Sequence, residues 1–137
     1  MRHGKLGGYA RFLGERGASA VEMALLLPIL VTLVFGIIEF GYAFNQQISL
    51  SQAAREGARY YAIHSGSSTY SATQLTQTAQ AAAPMATGLS ATASATCTPG
   101  ALVTVTTQRS YASLTGWFDF LGPAITLSGK AAMRCGG

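Results

Sequence analysis

The sequence predicts an α+β chain in which one long N-terminal apolar helix continues into a small domain with a second helix and a three-stranded antiparallel sheet. Three observations predict it. From Met23 to Ile38 there are sixteen residues without a charge, and the apolar character reads on to Phe44 past a single acid, Glu39. Twenty-two helical residues cover roughly 33 Å, enough for a bilayer core of about 30 Å. From Leu89 onward the apolar period switches from that of a helix to two, the signature of half-buried strands. The net positive charge, finally, gathers before the apolar run: residues 1–17 carry +3, while from Ala18 onward five basic residues face four acids.

The apolar helix comes first. A buried helix of a water-soluble core rarely stays apolar all round for six turns, so a membrane span is the stronger reading of Ala18 to Phe44. Its two acids, Glu22 and Glu39, then need explaining, because a carboxylate inside a span is costly and marks a place that has a partner. Before it, Met1 to Gly17 carries Arg2, Lys5, Arg11 and Arg16 against Glu15, a charge of +3, with five glycines and no apolar period strong enough to fold. It reads as a cytoplasmic leader. Positive flanks stay inside, which predicts the N-terminus in the cytoplasm and the C-terminal part outside. A secretory signal peptide fits poorly, since the apolar run is too long and lacks an A-x-A exit. The predicted division is 1–17 leader, 18–44 transmembrane helix and 45–137 extracytoplasmic domain. With about 45 residues in leader and span, roughly 90 remain, room for one small domain.

In Gly17-Ala18-Ser19-Ala20-Val21-Glu22 a glycine precedes the apolar helix and a glutamate stands fifth after it. This order resembles the processing site of prepilins. Further along the helix, Leu25-Leu26-Leu27-Pro28, then Phe35-Gly36-Ile37-Ile38-Glu39-Phe40-Gly41, then Ala53-Ala54-Arg55-Glu56-Gly57-Ala58-Arg59-Tyr60 make a sequence similar to the TadE-like family of Flp/Tad pilus assembly. Met23 departs from the aromatic that often comes after the glutamate in that family. The resemblance covers about Gly17 to Ala62. It implies cleavage after Gly17 by a membrane prepilin peptidase and a new α-amine on Ala18, which in pilins is thought to meet the glutamate of a neighbouring subunit. It also implies that Arg55, Glu56, Gly57 and Arg59 belong to the family's outer-helix motif. A first-turn glutamate that favours the helix dipole is the plainer reading of Glu22. For Glu39, an interfacial carboxylate reaching water and a contact with another subunit stand side by side. Pro28 removes one helix hydrogen bond, while Gly36 and Gly41 allow another backbone close.

Past Phe44 the helix is predicted to continue to Ile63, with Leu50, Ala54, Gly57 and Tyr61 on one apolar face and Arg55 and Arg59 on another. A polar loop from His64 to Thr69 breaks it. A second helix is expected from about Ala72 to Met85, capped by Ser71 and ended by Pro84, with Leu75, Ala79, Ala82 and Ala86 on one face. Leu89 to Cys97 alternates as a first strand, Thr98-Pro99-Gly100 turns, and Val103, Val105, Thr107 and Tyr111 mark a second strand. A third runs from Ile125 to Cys135. The outer half of the long helix is the available cover, which is a pilin-like arrangement. Between the last two strands Trp117, Phe118 and Phe120 surround Asp119. They read either as aromatics tucked onto the sheet or as an exposed contact patch for a partner or lipid headgroups.

Cys97 and Cys135 fall in the part placed outside, where thiols oxidise, and an intrachain disulfide is expected. In a simple meander the first and third strands are about 9.6 Å apart, too far for a bond that needs Cα atoms within roughly 7 Å. The cysteines therefore either lie on strands that pair directly or sit past the strand ends; the flexible Thr98-Pro99-Gly100 and Gly136-Gly137 favour the second arrangement.

Several function classes are disfavoured. Nucleic-acid binding would need clustered Lys and Arg on the folded part. Two isolated cysteines with His3 and His64 far off in sequence lack the ligand spacing of a zinc site. No phosphate loop, nucleophile elbow or acid-base set accompanies the Arg-Glu cluster, so no enzyme, cofactor or small-molecule substrate is expected. Two readings remain: a TadE-like minor pilin or pseudopilin for a Tad-type (type IV) pilus involved in adherence, with a prepilin peptidase, other pilin subunits, the Tad machinery and membrane lipid as partners, or an uncleaved single-pass anchor whose outer domain binds another envelope component. The mature N-terminus, Met1 or Ala18, separates them.

Overall fold

In the computed structural model, helix α1 spans Tyr9–His64 without interruption. Residues 9–116, 119, 122 and 125–136 are described, with side chains from residue 17 onward. The leader was expected not to fold, yet residues 9–16 are helical. The reason is that a helix already nucleated downstream propagates backward at one hydrogen bond per residue fixed, and no proline intervenes. Pro28 lies inside α1, where it cannot donate to a carbonyl, and the helix continues through it. One turn on, the Thr32 hydroxyl donates to the Pro28 carbonyl at 2.8 Å.

By its internal contacts the chain divides after Ile38. In the first unit the side chains facing outward are Val21, Leu25, Leu26, Ile29, Leu30, Leu33 and Ile37, all more than half exposed and distributed around the helix. Gly17–His64 is long and apolar enough to cross a membrane, and none of its most apolar window is buried.

The second unit runs from Glu39 to Gly137. Helix α2, Ala72–Ala82, starts at Ser71, whose hydroxyl accepts from the Gln74 amide at 3.1 Å, the capping predicted from sequence. It ends earlier than the predicted Met85, because the residue before a proline is pushed out of the helical region, and Ala83 precedes Pro84. Strands β1 (Ser90–Ala93), β2 (Leu102–Tyr111) and β3 (Ile125–Arg134) form an antiparallel sheet in the order β1-β2-β3. The registers pair Ala91 with Thr107 and Val105 with Ala131. Strand β1 is much shorter than the alternation to Cys97 predicts. After Ser94 donates to the Thr104 carbonyl, the chain leaves the ladder, held instead by the Tyr61 hydroxyl on the Ala95 carbonyl at 2.9 Å.

The odd phase of β2 faces the core as predicted: Val103, Val105 and Thr107 are fully buried. Against it lies one face of α1, with Leu50, Ala53, Ala54, Ala58 and Tyr61 buried, and Leu75 and Ala79 of α2 complete the cluster. Glycines make the approach close. A Cβ on Gly57 would meet Val105 at 3.3 Å and Leu75 at 3.4 Å. The Thr107 hydroxyl donates to the Leu50 carbonyl at 2.8 Å, which ties the middle of the sheet to the helix backbone.

Cys97 and Cys135 form the expected disulfide, with Cα atoms 5.5 Å apart. Both sit past their strands, in the second of the two arrangements. The meander holds the outer strands apart, while the ends converge because Gly100 donates to the Cys135 carbonyl and Cys135 to the Ala101 carbonyl, each at 2.9 Å.

Candidate functional site

The segment singled out for processing is a bare stretch of helix. Gly17, Ala18 and Glu22 are all exposed, and nothing lies within 4 Å of the place a Gly17 side chain would occupy. Among the described residues Glu22 has neither a hydrogen bond nor an ion pair, although carboxylates in an apolar phase are costly without one. The Gly17–Ala18 peptide lies within α1 and not at the edge of an unfolded leader.

Glu39 is placed differently. It is 7% exposed. Its carboxylate accepts from the Tyr111 hydroxyl at 2.6 Å, the Leu114 amide at 2.8 Å, the Thr115 amide at 3.3 Å and the Thr115 hydroxyl at 3.1 Å. Four donors from the end of β2 and the residues after it saturate both oxygens, so within this chain the acid already has its partners. The Tyr42 ring packs on Tyr111 at 5.9 Å between centroids. One turn of helix beyond, Gln46 is fully buried and spans the domain: its amide nitrogen donates to the Met85 carbonyl at 2.9 Å, and its oxygen accepts from Arg109 at 2.6 Å. Gln47 donates to the Ser128 carbonyl at 2.8 Å. These clasps fix the start of the C-terminal half of α1 to both long strands. Sequence reading did not find Gln46 or Arg109, although Arg109, standing on the core phase of β2 between Thr107 and Tyr111, was a legible signal that a buried acceptor lay opposite.

The Tyr111 phenol shows what this polar cluster does to stability. Burial, then the hydrogen bond to Glu39 and its charge, push its pKa well above the ordinary 10.0. A raised folded-state value means that the folded chain keeps a proton which the unfolded chain gives up. The stability this contributes is complete below the unfolded value and is lost as pH rises through and above it. Tyr70 moves in the same direction, from burial and its neighbours Tyr61 and Tyr60. Denaturant midpoints of the full chain in detergent should therefore fall as pH rises above about 10. Tyr111→Phe should show a shallower alkaline fall; an unchanged slope would mean that the phenol does not titrate with folding.

On the C-terminal half of α1, Gly57 packs against β2 and α2, while Arg55 and Arg59 are exposed. Arg59 and Glu56 approach at 3.9 Å on the surface, a pair worth at most a fraction of a kcal/mol. Of this motif, then, the glycine is structural and the charges face solvent. Tyr60 stacks on His64 at 4.4 Å and donates to Gln74 at 2.8 Å beside a shallow open groove that Gln77 and Thr78 also line. Among the described residues no three His, Cys, Asp or Glu side chains come together as a metal set. The aromatic patch of Trp117, Phe118 and Phe120 lies outside the described residues.

Residues 17–59 match the family model described as TadE-like protein. The match begins at the glycine and runs through the apolar helix to Arg59, just under a third of the chain. No curated protein and no solved structure matches.

Proposed function

From the premise of a chain whose residues 17–59 are TadE-like, we propose that it is a minor pilin or pseudopilin of a Tad-type (type IV) pilus that takes part in adherence, cut after Gly17 by a prepilin peptidase. The observation that carries the reading is the position of the match, which opens on Gly17, ends on Arg59 and spans the apolar part of α1 that holds Glu22. In this reading the mature chain begins at Ala18. Its α-amine neutralises Glu22 of a neighbouring subunit, which gives that exposed carboxylate the partner it lacks. The apolar helix holds the chain in the cytoplasmic membrane with Met1 inside, as the +3 leader favours, and residues 45–137 outside. Other pilin subunits and the Tad assembly machinery are its partners. The role is structural and not enzymatic.

Mass spectrometry of the protein purified from cells with an active prepilin peptidase tests it. The mature N-terminus is expected at Ala18, and Gly17→Arg should leave Met1 in place while the chain still reaches the membrane. An intact Met1 on the wild-type chain would overturn the reading and leave an uncleaved single-pass anchor. In the same cells, protease added to spheroplasts should remove the C-terminal domain.

A further inference from the structure

Among the described residues strand β3 has one strand partner and one free edge, and the hydrogen-bond pattern shows which residues face that edge. In an antiparallel ladder, directly opposed residues alternate between pairs that exchange both backbone bonds and pairs that exchange none. Cys135 donates to the carbonyl of Ala101, the residue opposite it, so the odd residues are the bonded positions between β2 and β3. Ser94 donates to Thr104, so the even residues of β2 serve β1, in agreement. The even residues of β3 therefore turn their N–H and C=O groups away from the sheet. The Ser128 carbonyl is covered by Gln47. Toward the C-terminal end, Lys130, Ala132 and Arg134 are exposed, and among the described residues no backbone group outside the sheet meets them.

Such an edge is a template for another strand, and proteins commonly blunt it with charge. The charges here are selective. Lys130 and Arg134 stand on the solvent side of the sheet with Ala132 between them. If two copies paired through this edge, antiparallel and centred on Ala132, each Lys130 would face an Arg134; centred on Lys130, like would face like. Opposed like charges destabilise a strand pair, so the edge rejects a second copy of itself and favours carboxylates. On the other side of the strand Met133, at 36% exposed, leaves apolar surface uncovered beside the same edge.

We propose that the β3 edge from Lys130 to Arg134 is a docking site for an extended segment of a different polypeptide. That segment is added as a fourth strand, with acidic side chains alternating with apolar ones. The main-chain bonds supply the attachment and the carboxylates supply the choice of partner. This inference does not depend on the proposed place in a pilus, since it rests on the register and the charges of β3.

The test uses the full chain in detergent micelles, labelled for amide NMR, and the synthetic peptide Glu-Val-Glu-Val-Glu-Val with blocked ends. Its addition should shift the amides of Lys130, Ala132 and Arg134 most strongly. The peptide with lysine in place of each glutamate should bind at least about tenfold more weakly. The double variant K130E/R134E, changed only at exposed positions, should reverse that preference. Ala132→Pro removes an outward N–H that the sheet does not use and should abolish binding while the remaining strand amides keep their protection. Shifts that avoid β3, or equal binding of the two peptides, would overturn the proposal. So would an unaltered preference in K130E/R134E, which does not depend on the proline variant folding.

Discussion

Gly129→Ala is expected to destabilise the C-terminal domain by about 3 kcal/mol, the upper end of what one extra methyl group does in a packed interior. Gly129 is buried on β3 where the strand crosses helix α1, and an added Cβ would sit 2.7 Å from the Ser51 nitrogen and overlap the Leu50 carbonyl. Both obstacles are backbone, so no side chain can rotate away; either the strand lifts off the helix or the helix bends. Lifting the strand would also strain the Thr107 hydroxyl bond to the Leu50 carbonyl. Gly66→Ala is the matched control, with nothing within 4 Å of its Cβ. Guanidinium unfolding of the full chain in detergent should move the midpoint for Gly129→Ala and leave Gly66→Ala near the parent. Equal midpoints for the two would mean that the strand and helix are not in contact as described.

Removal of the disulfide should cost about 4 kcal/mol in the chain-entropy model. The crosslink joins residues 38 apart in sequence, so it closes off much of the freedom of an unfolded domain of this size. Cys135 is 3% exposed and bonded through both its N–H and its C=O, which keeps the folded geometry in place when the sulfurs are replaced. The double variant C97S/C135S should accordingly still fold, at a lower midpoint, and the parent under reducing conditions should match it. A parent in which both thiols alkylate without reductant would contradict the bond, and a dimer lost on reduction would place it between chains.

Much of this chain was legible from residues alone, for a reason that is local. An uncharged run of helical length, a switch to period two at Leu89, a serine before Ala72 and a proline after Ala83 each report on one element, and each depends only on neighbours within a few positions. The alternation of β2 predicted its buried side, and the geometry of a meander left two arrangements for the Cys97–Cys135 bond, of which the flexible flanking segments favoured the one found, beyond the strand ends. The opening of the family match at Gly17 was likewise readable, since it lies in the order of residues along one helix.

What the tertiary structure decided is every contact whose partner lies far along the chain. Glu39 read as a carboxylate that either reaches water or meets another subunit; it is buried instead, and its donors are 72 to 76 residues away, brought there by the length of β2 and the direction in which the chain leaves it. Gln46 is an ordinary polar residue in sequence and a fully buried link in the fold, because Arg109 and the Met85 carbonyl happen to flank it. Gly129 sits in a strand where glycine is unfavourable, and only the crossing of α1 explains it. The early end of β1 has the same origin, since Tyr61 and the disulfide draw the chain off the ladder after Ser94. Periodicity records which side of an element avoids water. Which other element covers that side, and which polar groups meet beneath it, is set only when the helix and the sheet pack.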